Sequence, residues 1–160
     1  MSVAFRREGD DEHLEPKFEL PIPPGPNLVT ARGAALIAAK VVELEAMLAA
    51  AAADEVRAKV IRRELRYWHT RQVTAEVVPV ASGEVVAIGT TVSFTLDGKA
   101  RSLAITGDDE ADPAAGRIAF SAPLARALIG ANVGDLRDFA GREDAIEVLR
   151  NNDDVDVFLM

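Results

Sequence analysis

Three groups of residues in this chain could do chemistry. The most conspicuous is acidic: Asp108, Asp109, Glu110 and Asp112 crowd one short stretch, ITGDDEADPAAG. A calcium loop would space its ligands as D-x-D-x-D-G with a distal Glu, and that spacing is absent. Adjacent carboxylates in a turn bounded by Gly107 and Pro113 read instead as a solvated turn. A second acidic pair, Asp54 and Glu55, sits in AAADEVRAK. Two readings stand for it. Carboxylate oxygens suit a hard cation such as magnesium, which would make the pair a candidate catalytic site. The same two acids also favour a helix N-terminus, by capping and through the macrodipole.

The third group is basic. Arg57, Lys59, Arg62, Arg63, Arg66 and Arg71 follow closely on the acidic pair. Lys59, Arg62, Arg63 and Arg66 share one helix side by their i, i+3, i+4 and i+7 spacing. They form either a functional basic face or a solvated flank partnered by Glu43, Glu45 and Glu64. His13 and His69 are isolated and lack metal-ligand spacing, so no intrinsic metal site is expected. With no cysteine, disulfides and thiolate metal sites are excluded, which fits a cytoplasmic protein. The formal net charge of -8 argues against general nucleic-acid binding, because phosphate repels an acidic chain. No apolar run of about 18 residues exists to cross a membrane.

The elements that must position these groups follow from periodicity. Residues 1–29 read as an extended tail, rich in proline at PKFELPIPPGPN, with Phe18 and Leu20 as its docking points. Thr30 is placed to cap a helix running to about Ala53. Ile37, Val41, Leu44, Leu48 and Ala51 step by fours and threes, as do Ala58, Ile61, Leu65 and Trp68 on a second helix from about Asp54 to Thr74. Two such seams with a short break predict an antiparallel helical hairpin over 30–76, with arms of about 30 Å; the alternative is one continuous helix, since the alanine run before Asp54 contains no Gly or Pro. Tyr67 and Trp68 are expected to pack where the hairpin meets the following domain.

Over 84–150 the period becomes two. Val92, Phe94 and Leu96 alternate with polar residues, Asp97-Gly98 makes a hairpin turn, and Leu103 and Ile105 return. Ile118 and Phe120 make a third strand, Pro123–Ile129 a short helix ending at Gly130, and Ala145–Leu149 a last strand after the turn at 140–142. Residues 151–160 are an edge strand or a tail. The class is α+β: a helical hairpin, or coiled coil, followed by a small sheet with one helix.

The segment GDDEADPAAGRIAFSAPLARALIGANVGD closely resembles the C-terminal signature of the GreA/GreB transcript-cleavage factors of bacterial RNA polymerase. Leu28-Val29-Thr30, Arg32-Gly33, Leu36 and Leu44 resemble the start of that family's N-terminal hairpin. The resemblance implies an FKBP-like globular domain that docks at the polymerase secondary channel, and a coiled coil whose acidic tip helps hold a magnesium ion shared with the polymerase. It implies that Asp108–Asp112 connect strands and are not catalytic, that Ser121 and Pro123 belong to the docking region, and that the basic face lies near nascent RNA. The bland reading of Ser121 and Pro123 is helix initiation, with Ser121 as the cap.

The chain departs from the family in several ways, among them Ala122, which falls outside the docking signature, and the extended N-terminal tail. Its arm is shorter, as in the regulator of nucleoside diphosphate kinase, and its tip carries adjacent acids in place of D-x-x-E-N. The expectation is therefore a polymerase-binding regulator, an accessory factor and not an enzyme, weak or inactive in cleavage, with no small-molecule substrate. The rivals are an active cleavage factor using Asp54 and Glu55, and an interaction module with a non-polymerase partner. A prolyl isomerase is suggested by fold alone, and the domain has no Trp of its own for a proline pocket.

Overall fold

A computed structural model describes residues 19–79 and 81–153. His13, Phe18 and the rest of the predicted tail before Glu19 lie outside the described residues, as do residues 154–160. The chain divides into two compact units. One comprises the segment up to Pro24 with Ala38–Val73; the other comprises Gly25–Ile37 with everything from Thr74 onward.

The first unit is built on the helical hairpin. Helix α1 spans Ala31–Ala50 and α2 spans Glu55–Thr74, each of 20 residues. Thr30 caps α1 as its type predicts: its hydroxyl accepts from the Gly33 N–H at 3.1 Å, and its carbonyl accepts from Ala34 at 2.9 Å. Helix α1 stops at Ala50 instead of Ala53, although nothing there is Gly or Pro. The reason lies downstream. Asp54 takes the N-cap place of α2, a position with non-helical backbone, so residues 51–54 become the turn. Val41, Leu44, Ala51, Ile61 and Leu65 form the buried seam, with Met47, Leu48 and Trp68 packed against it. Trp68 thus belongs to the hairpin's own core. Tyr67 stands edge-on to it, with ring centroids 5.1 Å apart. Arg71 is 1% exposed and drops out of the basic face.

The second unit holds two sheets. Strand β1 (Asn27–Val29) pairs in parallel with β2 (Ala75–Val77), in the register Asn27↔Ala75. Both fall where tail and helix end are expected, because each is only three residues long and the partners lie far apart in the chain. The main sheet runs β5-β4-β3-β7-β6. Strands β3 (Thr90–Leu96) and β4 (Lys99–Thr106) form the predicted hairpin. Its two turn residues, Asp97 (φ 52°) and Gly98 (φ 84°), both have positive φ, as a type I′ turn requires.

Strand β5 (Arg117–Ala119) lies parallel to β4, so residues 107–116 must cross over between them. Helix α3 spans Pro123–Leu128 and ends as Gly130 turns left-handed at φ 91°. Strand β6 (Leu136–Phe139), not foreseen, hydrogen-bonds to β7 (Arg142–Asp153). Strand β7 starts before and ends after the predicted 145–149, so Asn151–Asp153 are strand. Val92, Phe94, Ile105, Ile146 and Val148 from the sheet meet Ala125 and Leu128 of α3 in the core.

Candidate functional site

The acidic crossover holds a buried carboxylate, which corrects the reading of 108–112 as a wholly solvated turn. Two short 3-10 turns, Asp108–Glu110 and Pro113–Ala115, carry the chain from β4 to β5. Asp112 is exposed, but Glu110 is only 5% exposed. Its carboxylate accepts the Thr30 hydroxyl at 2.8 and 2.9 Å, the Thr30 N–H at 3.4 Å and the Gly107 N–H at 3.3 Å. The Arg32 guanidinium lies 3.8 Å away. An acid three residues after Gly107 reaching back to that residue's N–H is half of a capping box. The rest of the knot comes from the first turn of α1. A carboxylate spent on so many donors from its own chain is a structural clasp.

Two glycines make the clasp possible. A Cβ on Gly107 would stand 2.5 Å from the Leu28 carbonyl oxygen, and a Cβ on Gly33 would collide with the Glu110 carboxylate.

Ser121 and Pro123 open α3. The cap position is Ala122, with Pro123 in the first turn, so Ser121 is not the cap. Its hydroxyl donates instead to Asp108 Oδ1 at 2.6 Å, tying the start of α3 to the acidic crossover. In the same unit Leu28, Val78, Ala87, Ile88, Phe120 and Ile129 line an open apolar groove of about 500 Å³. Sequence reasoning missed this groove, because its walls come from five separate stretches of chain.

At the hairpin tip Asp54 and Glu55 are both exposed. Asp54 Oδ1 accepts the Arg57 N–H at 3.1 Å, and its carbonyl accepts from Ala58 at 2.9 Å, which is N-cap geometry. Glu55 Oε2 lies 3.7 Å from Arg62. Asp54→Ala is expected to cost about 1 kcal/mol, read as a lower melting temperature and less helical circular dichroism. An unchanged melting curve would show that water caps α2 equally well.

Of the predicted basic face, Arg57, Lys59, Arg62 and Arg66 are exposed and Arg63 is half-buried. Of the acids named as its partners, Glu43 lies by Lys40 and Glu45 by His69, whereas Glu55 meets Arg62 and Glu19 meets Arg66. Arg66 is gripped by Glu19: Nε donates to Oε1 at 2.7 Å and Nη2 to Oε2 at 2.9 Å. That hydrogen bond holds the Glu19 carboxyl below its ordinary range, burial opposes it, and the charges of Arg66 and Arg63 add to it. A depressed carboxylate stabilises its contact fully above its unfolded pKa, and the contribution vanishes as pH falls through the lower folded value. Acidification below the normal Glu range is therefore expected to release residues 19–22 from α2. The Arg66 Nε–H resonance followed by NMR reports it, and a signal flat through that range would count against the pair. Among the described residues no group of three or more His, Cys, Asp or Glu could hold a metal, and no helix is long and apolar enough to cross a membrane.

Residues 81–149 match the family described as transcription elongation factor, GreA/GreB, C-term. The globular domain is a GreA/GreB domain. Among curated relatives, the transcription elongation factor GreA of Chelativorans sp. (strain BNC1) is 44% identical over 82 residues, covering 48% of this chain and 52% of that protein. GreA of Bacillus licheniformis is 44% identical over 57 residues, covering 34% and 36%. The chain thus spans about half, or less, of the length of the curated relatives it matches. A solved structure of GreA factor homolog 1 from Thermus thermophilus aligns over 80% of this chain and 99% of its own, at 18% identity and a TM-score of 0.38. The match to the GreA/GreB domain contains the acidic crossover, Ser121, Pro123 and the groove-lining Phe120 and Ile129.

Proposed function

We propose that this protein is an RNA polymerase-binding transcription regulator of the GreA/GreB superfamily. Its GreA/GreB domain docks at the secondary channel, and its hairpin stimulates transcript cleavage weakly or not at all. The observation that carries the second half is the chemistry of the tip. A shared magnesium would need free carboxylate oxygens converging on one point. Asp54 spends an oxygen on capping α2, Glu55 faces Arg62, and the two are adjacent in sequence. These residues fit the ion poorly. Arms of 20 residues reach about 30 Å, which further limits how deeply the tip enters a channel.

Docking is supported by the match of residues 81–149 and by an apolar groove beside Phe120, where a partner could bury surface. Ser121 and Pro123 follow directly at the start of α3, and the Ser121–Asp108 hydrogen bond fixes that corner. The experiment is co-elution with bacterial core RNA polymerase, in competition with a GreA factor. The expected result is a complex that GreA displaces. A chain that elutes apart from polymerase, or one bound alongside GreA without displacement, would reverse the proposal.

A further inference from the structure

The contact between Glu19 and Arg66 has a chemistry that the hairpin does not need. A guanidinium offers two parallel N–H donors, a fork that fits a carboxylate and a phosphate alike. Glu19 fills that fork with both oxygens. The adjoining residues Leu20 and Ile22 lie along the same groove of about 440 Å³, with Tyr67, His69 and Thr70 of α2. A short stretch of the chain's own N-terminal side is thus strapped over one end of the cationic face formed by Lys59, Arg62, Arg63 and Arg66. The strap is held lightly. Glu19 and Arg66 side chains are 56% and 52% exposed, and an exposed ion pair is weak and screened by salt. Beside it, the Nε of Arg63 is buried without a hydrogen-bond partner, and Arg63 adds to the field on Glu19.

We infer that Glu19 and the residues after it form a self-inhibitory strap, in which a carboxylate occupies on Arg66 the place of a phosphodiester and single-stranded RNA must displace it. The strap explains how an acidic chain keeps a basic helix face without binding RNA indiscriminately. A single weak pair blocks casual contacts, whereas a strand that meets several cations together outcompetes it. The inference is independent of the polymerase reading, and its test needs no polymerase.

Fluorescence anisotropy of a labelled 12-nucleotide RNA, in low salt with the full chain, tests it. Glu19→Gln keeps the side chain's size and removes its charge at an exposed position, so folding is not at stake. It should tighten RNA binding about threefold, the scale of one exposed ion pair. The gain should vanish when Arg66→Gln is also present, because the strap then has nothing to mask. Glu143→Gln removes the same charge at an exposed site on β7, and should leave affinity unchanged. Equal affinities for wild type and Glu19→Gln, or no binding by either, would overturn the inference. So would an equal gain from Glu143→Gln, which would trace the effect to net charge.

Discussion

Glu110→Ala is expected to lower the stability of the sheet unit by about 3 kcal/mol. The carboxylate is the common acceptor for the Thr30 hydroxyl, the Thr30 N–H and the Gly107 N–H. Truncation leaves these donors in a dry place where water cannot replace the lost oxygens. The two backbone bonds, at 3.4 and 3.3 Å, are near the long end of the range, so the hydroxyl and the nearby Arg32 carry most of the loss. Glu110→Gln keeps one acceptor oxygen and should cost less than Ala. Hydrogen exchange of the β3 and β4 amides measures the effect within this unit, whereas Trp68 fluorescence reports the hairpin. A change below about 1 kcal/mol would mean that the clasp is solvated in solution.

Gly33→Ala should cost a similar amount, about 2–3 kcal/mol, for a steric reason. Its new Cβ would occupy the space of the Glu110 carboxylate, which cannot swing aside without dropping its donors. The two predictions are therefore coupled. With Glu110 already Ala, the space is vacant, and Gly33→Ala should be neutral or favourable, since Ala exceeds Gly in helix propensity by about 1 kcal/mol. A double-mutant cycle should return a coupling of about 2 kcal/mol or more. Additive costs would show that Gly33 is required for a reason other than this carboxylate.

How much of this was legible depended on the range of the contacts involved. The hairpin helices were readable because Val41, Leu44, Ile61 and Leu65 repeat a seam within each helix, and Thr30 and Asp54 announce caps locally. The β3–β4 hairpin was readable because Asp97-Gly98 can supply positive φ. Strand β1 was hidden because it follows Pro26 and pairs with residues such as Ala75, far along the chain. Strand β6 was hidden because Arg137 and Asp138 interrupt its apolar pattern at the sheet edge. Glu110 looked like one more acid in an acidic turn. Its spacing from Gly107 hinted at a backward capping contact, but its main partner, Thr30, lies 80 positions away. Glu19 was hidden for the same reason: the basic stripe was visible on α2, but the acid that meets Arg66 comes from 47 residues earlier.

On the proposed function, the GreA/GreB domain brings this chain to polymerase and the tip stimulates cleavage weakly or not at all. RNA cleavage in purified backtracked elongation complexes tests it directly, with this protein alone, with a GreA factor, and with both together. The expected result is little or no cleavage beyond that of polymerase alone, and suppression of GreA-stimulated cleavage as this protein is added. Cleavage stimulated as strongly as by the GreA factor, and lost in the Asp54→Ala/Glu55→Ala double variant, would contradict the proposal.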